Sequence, residues 1–189
     1  MTEENPWTTT GSRKIYENNW IAVREDQVIN PAGGSGIYGV VEFKNQAIAI
    51  VPLDQEGNTW LVGQYRYPLN RYSWEVPMGG HPVGEDPKSG ALRELKEETG
   101  LVAARLTEVI RVDLSNCVSD ETGVGYIAEG LTEGETEFDE TEDLQIKKLP
   151  LSDAVAMAMT GEITDCLSVA VLLKVAALRV SQGAGVIKG

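Results

Sequence analysis

The sequence predicts an α/β fold. Three observations carry that expectation: β-type segments rich in Val, Ile and aromatic residues fill the first half, a helix with clear start and stop signals occupies the middle, and Ala, Leu and Val recur at helical spacing near the end. The 189 residues suit one domain with a modest arm, and 42% apolar against 24% charged content excludes both a disordered chain and a membrane-embedded one.

Residues 20–29, 37–44, 47–52 and 59–67 are short apolar runs separated by Gly, Pro, Asn and Asp, so they read as strands. Residues 31–36 read as a Gly-rich turn and residues 54–58 as a hairpin loop. Asp86 and Pro87 open the best-defined helix as N-cap and first-turn residue, and Gly100 ends it in a left-handed cap position. Strands are expected again at 107–114, 123–128 and 144–149, and helices at 152–159 and 165–180. Residues 129–143 carry eight carboxylates and no basic side chain, the composition of a solvated loop, and residues 182–189 read as a flexible tail.

Sixteen Lys and Arg against 29 Asp and Glu give a formal net charge of -13, with no basic stripe for a phosphate backbone. A general nucleic-acid binder is therefore excluded. Phosphorylated small molecules stay open to such a chain where a divalent cation bridges the like charges. Cys117 and Cys166 match neither zinc-site spacing nor a disulfide framework, and are assigned to packing in a reducing compartment. Residues 1–11 are polar and carry Glu3 and Glu4 where a signal peptide needs a basic start, and no apolar run nears the ~20 residues of a membrane span. A cytoplasmic protein without membrane contact is expected.

The chemistry concentrates in Gly79-Gly-His-Pro-Val-Gly-Glu85 and, seven residues later, Arg93-Glu-Leu-Lys-Glu-Glu-Thr-Gly-Leu101. At about 100° per residue, Ala91, Leu92, Leu95 and Thr99 share one arc of the helix while Glu94, Glu97 and Glu98 gather on another. Like charges at these spacings repel by a few tenths of a kcal/mol per pair, roughly, so the cluster opposes helix stability unless a cation offsets it. A hard cation such as Mg²⁺ prefers carboxylate oxygens and leaves coordination sites for water and phosphate. An acidic surface helix screened by Arg93 and Lys96 is the plainer alternative, but the glycines, Glu85, the Arg93-Glu94 pair and Gly100 agree at every position.

That pattern resembles the box of the Nudix hydrolases: Gly, five residues, Glu, seven residues, then Arg-Glu-apolar-x-Glu-Glu-x-Gly-apolar. The resemblance implies an α/β/α sandwich around a mixed sheet and Mg²⁺-dependent hydrolysis of a nucleoside diphosphate linked to another group, with Mn²⁺ as a substitute cation. By position, Glu94 and Glu98 are implied as principal metal ligands, Glu97 as a further ligand, the Met78 carbonyl as a backbone ligand, and an Arg93–Glu85 salt bridge as the brace of the helix.

The flanks narrow the branch. Gln64-Tyr-Arg-Tyr67, Trp74-Glu-Val-Pro77 and Ser115-Asn-Cys-Val-Ser-Asp-Glu121 resemble the ADP-ribose pyrophosphatase and nucleoside-diphosphate-sugar branch. There Arg66 is implied to contact the diphosphate and Glu121 to help bind substrate. Asn116 stands where ADP-ribose enzymes commonly carry Pro, which leaves the choice among nucleotide sugars open. The general base is implied in the acidic loop, at Glu142, with Glu140 and Asp143 as neighbours. The resemblance further divides the chain into a dimerising N-terminal β-arm (1–45), a catalytic domain (46–181) and the tail, and implies a homodimer in which Trp20 stacks on the base in the partner's site. Two other readings remain: a Nudix enzyme for nucleoside triphosphates, dinucleoside polyphosphates or coenzyme A, and a Nudix module that binds nucleotide sugars without turnover. His81 lies in a variable position of the box and reads as a bystander.

Overall fold

The computed structural model describes residues 4–84, 86–136 and 144–184, the last three by backbone alone. Strands β1 (Thr8–Glu17), β2 (Ile21–Ile29) and β3 (Ser35–Phe43) form an antiparallel sheet in that order. Strands β4 (Asn45–Pro52) and β5 (Asn58–Arg66) follow, then a 3₁₀ turn (Tyr67–Leu69), β6 (Arg71–Glu75), β7 (Met78–Pro82) and helix α1 (Pro87–Thr99). The long strands β8 (Leu101–Asp113) and β9 (Thr122–Glu133) lead to β10 (Gln145–Pro150), α2 (Leu151–Thr160) and α3 (Cys166–Ala184).

The central sheet has the order β7-β4-β9-β8 and is mixed, with β4 and β9 parallel and the other pairs antiparallel. A second sheet, β10-β5-β6, is antiparallel throughout. From Ala47 onward strand β4 reads as an unbroken apolar run because both its faces are covered. Ile48 and Ile50 pack with Ala91 and Leu95 of α1, while Ala49 and Val51 pack with Leu151, Leu167, Val171 and Val175 of α2 and α3. Each buried Ile contributes roughly 1.5–3 kcal/mol. The result is the expected helix-sheet-helix layering.

The sequence signals hold where local chemistry decides. The Asp86 side chain accepts from the Lys88 N–H at 3.1 Å, Pro87 opens α1, and Gly100, at φ 70°, closes it by donating its N–H to the Lys96 carbonyl at 2.8 Å. Where pairing decides, the structure adds elements. Strand β1 is polar and almost wholly exposed, so no alternation betrays it. Strand β7 contains two glycines and a proline, and exists because β4 offers it an edge. Residues 129–133, expected in a solvated loop, belong to β9, where Arg105 bonds Glu129 from the facing strand at 2.8 Å. Cys117 and Cys166 are exposed, which corrects their assignment to packing: each sits outside the apolar clusters. Among the described residues no helix is long and apolar enough to cross a membrane.

Candidate functional site

A cleft of about 610 Å³ opens where α1, β4, β7, the end of β5 and the N-terminal sheet meet. Its acidic wall comes from α1. Glu94 and Glu98 are 8% and 1% exposed, so the carboxylate arc turns inward beside the packing arc, whereas Leu92, expected to pack, is 41% exposed. Two features make that burial tolerable. The Met78 N–H donates to Glu98 Oε2 at 2.9 Å, and Gly79 leaves room for Glu94, since a Cβ there would lie 2.0 Å from the Glu94 carboxyl carbon.

Arg93 crosses this wall. Its Nη2 donates to Glu94 Oε1 at 2.7 Å and to the Gly80 carbonyl at 3.1 Å, and its Nη1 donates to Glu97 Oε2 at 2.8 Å. Burial works against its charge, but Glu94 and Glu97 outweigh it and push the guanidinium pKa up. Glu85, the partner expected for Arg93, lies outside the described residues, as do Glu140, Glu142 and Asp143.

Arg66 also lines the cleft. Arg66, last residue of β5, is bonded through Nε and Nη2 to both oxygens of Glu75, itself 2% exposed. That pairing, with the further charges of Asp165 and Glu98, raises the Arg66 pKa against the effect of burial. The orientation of Arg66 is thus set from β6, a second-strand partner that no local spacing announced. Glu121 lines the cleft just before β9; burial is the largest cause of its raised pKa, and the charges of Asp165 and Asp120 add to it. Trp20 sits at the mouth beside Phe43, 66% exposed, in the turn between β1 and β2. Asn18 fixes that turn by accepting the N–H groups of Trp20 and Ile21, each at 2.8 Å.

Arg66, Trp20, Glu121, Met78, Arg93, Glu94, Glu97 and Glu98 therefore share one cleft. His81, by contrast, is buried under α1, where a Cβ on Gly90 would lie 2.5 Å from its Nδ1. As they stand, no three metal-ligating side chains converge to hold an ion among the described residues; the Arg93 guanidinium lies against Glu94 and Glu97 instead. The donor chemistry nonetheless fits a hard divalent cation: three carboxylates on one wall, one of them admitted only because Gly79 lacks a side chain.

Comparison with known proteins gives the same answer by another route. The model of the NUDIX domain matches residues 44–165, and that of the nucleoside diphosphate sugar hydrolase N-terminal domain matches residues 7–41. An ADP-ribose pyrophosphatase of Mycobacterium tuberculosis (strain ATCC 25618 / H37Rv) is 36% identical over 178 residues, 93% of this chain and 86% of that one. An ADP-ribose pyrophosphatase of Bacillus subtilis (strain 168) is 32% identical over 159 residues, 83% and 85% of the two chains. A crystal structure of an ADP compounds hydrolase superposes with a TM-score of 0.84 over 99% of this chain and 100% of that one, at 21% identity, a likeness of fold. Nudix hydrolases are generally dependent on a divalent metal. With the box on α1, the cleft it lines and the family model over most of the chain, the protein belongs to the Nudix hydrolase family.

Proposed function

We propose that the protein hydrolyses the diphosphate bond of a nucleoside diphosphate sugar, ADP-ribose or a close relative, to a nucleoside monophosphate and a sugar phosphate. One observation carries the reading: a single cleft holds an acidic wall suited to a divalent cation, an oriented arginine and an exposed indole, the three recognition elements such a substrate needs. The relatives named ADP-ribose pyrophosphatase, similar over most of their length, support the same substrate class.

In this reading Glu94 and Glu98, with Glu97 and the Met78 carbonyl, hold Mg²⁺, for which Mn²⁺ can substitute; the ion supplies charge neutralisation of the diphosphate and acidification of the attacking water. Arg93 orients the carboxylates, since its two terminal nitrogens bond Glu94 and Glu97 while the backbone of β7 anchors it. Arg66, held in place by Glu75, binds the diphosphate. Glu121 accepts hydrogen bonds from substrate hydroxyls, Trp20 stacks on the base, and Glu142 takes the proton of the attacking water as general base.

The N-terminal arm, residues 1–45, serves for dimerisation and is joined to the catalytic domain, residues 46–181. Its exposed Trp7, Ile15, Tyr16 and Ile37 support that assignment. The exposed thiols of Cys117 and Cys166 suit the reducing cytoplasm, and the net charge of -13 disfavours nucleic acid.

Turnover with Mg²⁺ of ADP-ribose, ADP-glucose, UDP-glucose, GDP-mannose, a dinucleoside polyphosphate and a nucleoside triphosphate tests the reading. A nucleotide sugar is expected to rank first by kcat/KM. A triphosphate ranking first would replace the substrate class, and tight binding of any member without turnover would make the protein a sensor.

A further inference from the structure

The loop that carries Glu121 is fastened to the N-terminal sheet of its own chain. Residues 114–121 connect β8 to β9 and close at the base, where the Leu114 N–H donates to the Glu121 carbonyl at 3.0 Å. Inside, the loop turns on the Ser115 carbonyl, which accepts from the N–H groups of Val118 at 3.1 Å and Ser119 at 2.9 Å. The outer side is gripped by β3. Val41 N–H donates to the Val118 carbonyl at 2.9 Å, Asp120 N–H donates to the Val41 carbonyl at 3.2 Å, and Val41 and Ser119 form a parallel bridge. The Tyr38 hydroxyl donates to the Cys117 carbonyl at 2.6 Å, and the Phe43 N–H donates to Asp120 Oδ1 at 2.8 Å.

Of these ties, the last is the one made by a loop side chain. It joins Asp120, adjacent in sequence to Glu121, to Phe43, which itself lines the cleft beside Trp20. A bond between an ionised carboxylate and a backbone N–H is among the stronger hydrogen bonds. Phe43 ends a strand of the N-terminal sheet and Asp120 lies in the loop between β8 and β9, so the bond sets the loop against the arm rather than stabilising either alone.

We propose that Asp120 is a positioning residue, a latch that ties the substrate-binding loop to the N-terminal arm and thereby fixes Glu121 in the cleft. The arm then acts on the site of its own chain, whatever it also does across a subunit interface. The proposal rests on the reading that the cleft takes a nucleotide sugar and that Glu121 contacts it.

Full-length Asp120→Ala, Asp120→Asn, Glu121→Gln and the double variant Asp120→Ala/Glu121→Gln test it. Asp120→Ala is expected to raise KM for ADP-ribose about tenfold with kcat within about twofold, the loss of one charge-assisted hydrogen bond. Asp120→Asn keeps the Oδ1 acceptor and is expected to restore KM to near the wild-type value. The double variant is expected to be no worse than Glu121→Gln alone, because the latch then has nothing to position. Hydrogen exchange supplies a readout independent of turnover: the Phe43 amide and those of residues 117–121 should exchange faster in Asp120→Ala and not in Asp120→Asn. An unchanged KM beside a lowered melting temperature, or additive losses in the double variant, would overturn the latch. Should the wild type turn over no nucleotide sugar, the substrate reading fails separately, and unchanged exchange in residues 117–121 would then overturn the latch by itself.

Discussion

Gly79 shows what the Nudix box encodes at the scale of a residue. Its side-chain hydrogen is the only substituent that lets β7 lie against the Glu94 carboxylate, so Gly79→Ala must displace that carboxylate. We expect the variant to lose turnover by roughly 100-fold or more, as expected for a misplaced metal ligand, while circular dichroism stays native. Glu98→Gln should behave similarly for a different reason: the amide oxygen can still accept the Met78 N–H, so folding survives, but a charged ligand is gone. Unchanged turnover at saturating Mg²⁺ would remove Glu98 from the ligand set. Glu121 carries a cost. Its folded pKa is raised, mainly by burial, so its ionisation lowers stability as pH rises from the ordinary carboxylate range to the raised folded value, and the full cost is present above that. Glu121→Gln should therefore raise the melting temperature at pH 7, with the gain vanishing below about pH 4, while raising KM about tenfold. A lower melting temperature at pH 7 would contradict the sign. The positions of Glu94, Glu97, Glu98 and Arg66 in a common cleft follow from motifs readable in the sequence. The pairing of Arg66 with Glu75 does not, because it depends on the register of β5 with β6.

Elements divide along the same line. Helix α1 was readable because its caps are local chemistry: Asp86, Pro87 and Gly100 act within a turn of themselves. Strands β1 and β7 were not, because neither polar alternation nor a Gly-Gly-His-Pro segment distinguishes a strand from a loop until a partner edge exists. The β4–β5 connection is intermediate: residues 54–58, expected as a hairpin loop, join strands that lie in different sheets and do not pair with each other. Its loop was legible as a turn, closed locally where Asp54 accepts from the Asn58 N–H at 2.7 Å and the Asn58 side chain at 3.0 Å, but the ion pair of Asp54 with Lys148 of β10 at 2.8 Å is tertiary. Burial opposes ionisation of Asp54, but those bonds and the Lys148 charge outweigh it and hold the carboxyl well below the usual range. The stabilisation is present above the unfolded carboxylate pKa and is lost as pH falls toward the depressed folded value. Asp54→Ala should cost about 1–3 kcal/mol in urea unfolding at pH 7, and the gap from wild type should narrow toward pH 3. A constant gap would show that the charge is not the cause.

On the scale of the whole molecule, the resemblance assigns residues 1–45 to a dimerising arm, and the structure gives residues 8–43 a separate sheet with large side chains exposed. The resemblance places Trp20 over the base in the partner's site, whereas in the structure Trp20 lines the cleft of its own chain. Light scattering at micromolar concentration should give twice the 20.5 kDa chain mass; a monomer would end the dimer assignment. Trp20→Ala should raise KM about 5- to 100-fold, the range of a lost base stack, with products unchanged. The acidic chain, its cleft and its relatives converge on one reaction. It is tested most directly by the masses of the products formed from ADP-ribose with Mg²⁺, wild type beside Glu98→Gln. The account predicts AMP and ribose 5-phosphate from the wild type and neither from the variant; release of inorganic phosphate or pyrophosphate, or equal product from both, would contradict it.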